Sequence, residues 1–144
     1  MNDNLEDLNI NANLVAEEIS QEGTGTYVDV RTVAEFATNR PKGRAVNIPI
    51  VFFHPSTKEE HPNPAFELVA RHALKDEDVI IVGGNSDNRA LEAARRLQAT
   101  GFLNIRILRK GVEEWNEATL PLTGDNRPGV SYASLLTAAR RAKK

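Results

Sequence analysis

A chain of 144 residues with 40% hydrophobic and 26% charged residues has the balance of one globular domain, which excludes a disordered polymer or a fibre. Cysteine is absent, so disulfides, thiolate metal sites and a cysteine nucleophile are excluded within the chain. A net charge of -2 argues against a nucleic-acid binder, and the sequence holds no apolar run long enough for a membrane helix.

The first 22 residues carry six acids and no Lys or Arg, the opposite of a targeting segment, so the expected address is the cytoplasm. Asn11 or Asn13 is placed to cap a short helix that carries Leu14, Val15 and Ile19 and ends by Gly23. The β-branched and aromatic run TYVDVR (26–31) predicts a buried strand. Thr32 with Glu35 three residues on forms a capping box that opens the next helix, and Arg40-Pro41 closes it. RAVNIPI (44–50) predicts a second short strand. Residues 51–64, with Pro55, Pro62 and Pro64, predict an irregular stretch.

PAFELVARHAL (64–74) has Pro at a helix start and buries Phe66, Val69, Ala70 and Ala73. DVIIVG (78–83) is apolar on both alternating faces, as in a central parallel strand. From Asn88 a helix places Ala90, Ala93, Ala94, Leu97 and Gly101 on one stripe and turns Glu92, Arg95 and Arg96 to water. NIRILR (104–109) is a further strand, followed by a short helix holding Trp115 as core packing. A terminal helix starts at Ser131, and the cations Arg127, Arg140, Arg141, Lys143 and Lys144 read as a solvated basic end. Strands alternating with helices imply an α/β fold with a largely parallel sheet, ligands being expected on the strand-to-helix edge.

On that edge lies the stretch Gly84-Asn85-Ser86-Asp87-Asn88-Arg89, between an apolar strand and a helix start. It contains no thiol, histidine or lysine. YVDVRTVAEF, GRAVNIPI, VIIVGGNSDNRALEAARRLQATGF and NIRILRKGVEEW, in this order, resemble a single-domain rhodanese from about Leu14 to Pro121. The resemblance implies a three-layer α/β domain over 1–144 (core about 12–122, helical extension about 131–144). Its central, mostly parallel sheet would have about five strands.

Active rhodaneses carry the loop C-x-x-G-x-R-S, in which a cysteine thiolate, cradled by backbone N–H groups, takes sulfur from a donor as a persulfide. By that resemblance Gly84 stands at the cysteine place, Asp87 at the glycine, Arg89 at the arginine and Ala90 at the serine. Lys110-Gly111 replaces the glycine pair before the tryptophan, and the histidine before the second strand is missing. The expected site is therefore a degenerate loop with no catalytic residue, Arg89 and Ser86 being its candidate anion contacts. The resemblance makes Asp29 and Arg31 a buried structural pair, with Glu35 a further partner.

Gly84 has no side chain to act as a nucleophile. Asp87 reads as a helix N-cap whose carboxylate occupies amides that would otherwise hold an external anion. Ser86 lacks a histidine near it in sequence, so a hydrolase would need His54, His61 or His72 brought in by the fold. Asn85, Asp87 and Asn88 resemble a fragment of a calcium loop without the closing bidentate glutamate, and Gly83-Gly84 lacks the lysine of a phosphate loop. Arg106, Arg109 and Lys110 could join Arg89 in a positive mouth. The expectation is a binding or regulatory module for a protein partner or a small anion, without cofactor or metal. Its alternatives are a sulfurtransferase using a partner's thiol and a Ser86 hydrolase.

Overall fold

In the computed structural model, residues 8–54, 56–84, 87–124 and 130–143 are described, the side chains of 87, 88 and 143 excepted. The strands β1 (Gly25–Asp29), β3 (Ala45–Asn47), β6 (Val79–Gly83) and β7 (Ile105–Leu108) form a parallel sheet in the order β3-β1-β6-β7. Pairing is in register along the centre, with Tyr27 beside Ile81 and Asp29 beside Gly83. A fifth place at the β7 edge is filled only by an isolated parallel bridge between Asn9 and Ile107. Two short antiparallel pairs accompany the sheet: β2 (Arg40–Pro41) with β8 (Leu122–Thr123), and β4 (Val51–Phe53) with β5 (Glu60–Pro62).

Alternation along β1 and β6 sends side chains to two cores. On one face Val28, Val30, Ile80 and Val82 meet α3 (Phe66–Ala73), α4 (Asp87–Thr100) and α6 (Tyr132–Lys143) through Phe66, Ala94 and Leu135, among others. On the other, Tyr27 and Ile81 meet α1 (Ala12–Glu18) and α5 (Val112–Glu117) through Val15 and Trp115. Each fully buried large side chain contributes about 1.5–3 kcal/mol. The result is three layers, and α2 (Val33–Thr38) lies beyond the end of β1.

Local signals explain the helix starts. The Asn11 side chain accepts from the Leu14 amide at 2.9 Å, and Thr32 and Glu35 make the reciprocal box. α1 turns Ala12 and Val15 inward and leaves Leu14 48% exposed. Three expectations change. Gly101 is exposed at φ +114 and ends α4 rather than packing in its stripe. The stretch 51–64 is not irregular throughout, since β4 and β5 pair across it.

Arg96, expected in water, is half-buried. It forms a two-pronged contact with Glu67 at 2.5 and 2.6 Å, donates to the Asn63 carbonyl, and lies 4.9 Å over the Phe66 ring. These hydrogen bonds lower the Glu67 pKa. A lowered folded pKa gives stability that is present above the unfolded value and lost as pH falls through the folded one. Glu67→Gln should thus destabilise by about 0.5 kcal/mol at neutral pH, after discounting for solvent screening. Urea unfolding should find the difference vanishing at acid pH.

Candidate functional site

Strand ends, not side-chain abundance, define the site. The C-terminal ends of β1, β3, β6 and β7 deliver Val30–Thr32, Ile48–Ile50, Gly84 and Arg109–Gly111 to one edge of the sheet. Gly84 is buried there, and α4 follows with Asp87 already in its first turn. Asp87 is therefore a first-turn residue rather than the residue before the helix, a position where a negative charge is still favoured by the dipole. Asn85 and Ser86 lie outside the described residues, as do the side-chain contacts of Asp87 and Asn88.

Two close approaches shape the floor of this loop. Gly111, at φ +57, lies against the Gly84 backbone, where a Cβ would come within 1.6 Å of the Gly84 oxygen. Gly83 lies against Tyr27, whose hydroxyl oxygen would be 1.9 Å from an added Cβ. The Tyr27 hydroxyl is buried without a hydrogen-bond partner among the described residues, and burial first, then the charge of Asp29, raises its pKa well above the usual value. Neither glycine contact was visible in the chain order, because each joins residues distant in sequence.

Asp29 and Arg31 are both buried and face each other. Arg31 donates to Asp29 from Nε at 3.0 Å, from Nη2 at 2.7 Å and from its own backbone N–H at 3.0 Å. Nη2 also donates to the Asn39 carbonyl at the end of α2. Asn47 donates to the Asp29 and Arg31 carbonyls, so β3 is tied to the same corner. Glu35 accepts from the Thr32 amide and hydroxyl, and its charge acts on Arg31 through space. Trp115 is buried, with Nε1 donating to the Pro121 carbonyl at 2.6 Å.

Arg89 is the described cation of the loop. Its Nη2 meets Glu60 Oε1 at 2.7 Å, and its guanidinium lies 4.7 Å over the Phe53 ring. The other expected cations do not all join it. Lys110 and Arg109 follow β7 on the loop edge, whereas Arg106 lines a cleft of about 660 Å³ at the opposite edge. That cleft lies between α1 and the starts of β6 and β7, with Leu14, Glu17, Val79 and Leu103 in its walls. The loop cation Arg89 is at the other edge, at the start of α4.

The histidines take local or exposed places. His54 Nδ1 accepts from the Ser56 and Thr57 amides at 3.1 and 3.2 Å, which uses its basic nitrogen in the turn after β4. His61 is exposed in β5 and His72 is exposed in the last turn of α3. Among the described residues no three His, Asp or Glu side chains converge as a metal set.

The rhodanese-like domain model matches residues 11–118. The chain belongs to the rhodanese-like family. It is 33% identical over 108 residues to the senescence-associated protein DIN1 of Raphanus sativus, covering 75% of this chain and 57% of that protein. Thiosulfate sulfurtransferase 16, chloroplastic, of Arabidopsis thaliana is 33% identical over 96 residues, covering 66% of this chain and 77% of that protein. The Alr3790 protein from Anabaena sp. superposes with a TM-score of 0.66 at 22% identity, over 80% of this chain and 91% of that one. The chain thus spans little more than half of the first curated relatives it matches, 57% in two cases. The chain contains no cysteine. Among the described residues no helix is long and apolar enough to cross a membrane.

Proposed function

We propose that this chain is a non-catalytic member of the rhodanese-like family, a binding or regulatory module that uses the strand-edge crevice from Gly84 to Arg89. One observation carries the reading: the fold is that of a sulfur carrier, and the chain has no thiol to carry sulfur. A hydrogen atom replaces the nucleophile, and oriented amides alone cannot form a persulfide. Arg89 supports binding rather than chemistry, since its guanidinium is held by Glu60 and Phe53 at the crevice mouth. The occupant fits a protein partner or a small anion that meets the helix start.

The purified chain should convert thiosulfate and cyanide to thiocyanate no faster than buffer. A clear rate would instead make it an enzyme and overturn the non-catalytic reading. Gly84→Cys alone should restore little activity, because by the family resemblance Asp87 stands where the active loop has glycine, and its negative charge would oppose both a thiolate and an anionic donor. Gly84→Cys with Asp87→Gly should therefore exceed the single variant at least about tenfold in rate. Equal rates in the two variants would remove Asp87 from the account.

A further inference from the structure

The β4–β5 hairpin is rooted at the end where β4 begins and β5 ends. At its root Ile50 donates to Val30, Asn63 donates to Ile50 at 2.9 Å, and the buried Asn63 amide group donates to Pro49 and to the Tyr132 hydroxyl. Towards its tip the His54 amide donates across the hairpin to the Glu59 carbonyl at 2.9 Å. Between root and tip the hairpin reaches the start of α4, where Arg89 meets two of its residues. Phe53 and Glu60 are register partners on opposite strands, so ring and carboxylate form one seat for the guanidinium.

Exposure decides what such a seat can do. The Glu60 side chain is 55% exposed and that of Arg89 23%, so the pair is wetted and weakly held. It is a contact that can open without unfolding the root. It also gives the loop's cation an internal carboxylate, the group that an external oxyanion would have to replace.

We propose that the hairpin is a strap latched to the start of α4 by Arg89, with Glu60 standing in for the anion of a ligand. The latched form is self-occupied. A small oxyanion engages the loop by exchanging with Glu60 on Arg89, which frees the hairpin, and the two events are one equilibrium. Glu60 is then a specificity-determining residue: it sets how strongly an anion must bind before the strap opens. This rests on the crevice being the binding site, although the latch itself can be tested without that reading.

The experiment uses the full chain, with Glu60→Gln, Arg89→Gln and the double variant. Amide hydrogen exchange at His54 should quicken severalfold in either single variant, and the double should be no faster than the faster single. Multiplying effects, or none, would overturn the latch. Thiosulfate is the probe for the second arm, its binding followed through the Arg89 side-chain Nε–H resonance. Glu60→Gln should lower the thiosulfate Kd about threefold or more, within what one exposed ion pair contributes. An unchanged Kd, or no binding in either protein, would overturn Glu60's role as the internal anion. Thiocyanate production by the wild type would sink the non-catalytic reading alone and leave the exchange coupling intact.

Discussion

Arg31→Met should destabilise the domain by about 3–5 kcal/mol, the cost of stranding a buried charge. Asp29 has no exposed side-chain surface, and Arg31 supplies its side-chain hydrogen bonds together with the countercharge. Burial already pushes the Asp29 carboxyl above the usual range, and Arg31 opposes this without cancelling it. Removing the guanidinium pushes it further up. A raised folded pKa means that the native state holds its proton more tightly than the unfolded chain. The penalty is therefore absent below the unfolded value near ~3.9 and complete above the folded one. Urea unfolding from pH 4 to 8 should find Arg31→Met losing stability relative to wild type as pH rises. A flat difference would mean that the carboxylate is not left uncompensated. Asp29→Leu combined with Arg31→Met should recover part of the loss, since apolar replacement of both partners removes the stranded charge. The recovery is incomplete because the Arg31 amide loses its acceptor.

Much of this corner is legible from the residues alone, because its signals are local. Thr32 and Glu35 are three apart, and their box needs only one helical turn. Asp29 and Arg31 are two apart on a strand end, and the apolar run of β6 belongs at the centre of a parallel sheet. What escapes the sequence is set by partners far along the chain. The β4–β5 hairpin is hidden by Pro55 and Pro62 and by strands of three residues, too short for alternation to register. Arg96 looks like an ordinary solvent-facing helix cation until Glu67 and Phe66 are folded against it. Arg89 is the most instructive residue. Its place in the family motif marks it as an anion contact, but the carboxylate that meets it comes from Glu60, 29 residues earlier. A charge in a loop has no settled role until its tertiary neighbours are known.

Gly111→Ala should cost about 3–5 kcal/mol and move the crevice as well. Two terms add. At φ +57 and ψ -128 a side chain is strained, by about 1–3 kcal/mol. The new methyl would also sit 1.6 Å from the Gly84 oxygen, so one of the two backbones must shift, at about 1–3 kcal/mol in a packed interior. Gly101→Ala separates the terms, because Gly101 has φ +114 but nothing within 4 Å of an added Cβ. Thermal unfolding of both variants should place Gly111→Ala well below Gly101→Ala, and equal losses would mean that the collision relaxes freely. The larger consequence is positional. Gly84 follows directly on β6 and leads to α4, so pushing its carbonyl shifts the first turn that carries Arg89. Amide shifts at Gly84 and Arg89 should change in Gly111→Ala and stay unchanged in Gly101→Ala. Gly111 thus helps set the loop's position from the turn before α5, which explains why a glycine is required there even when Lys110 precedes it and no thiol remains to be cradled.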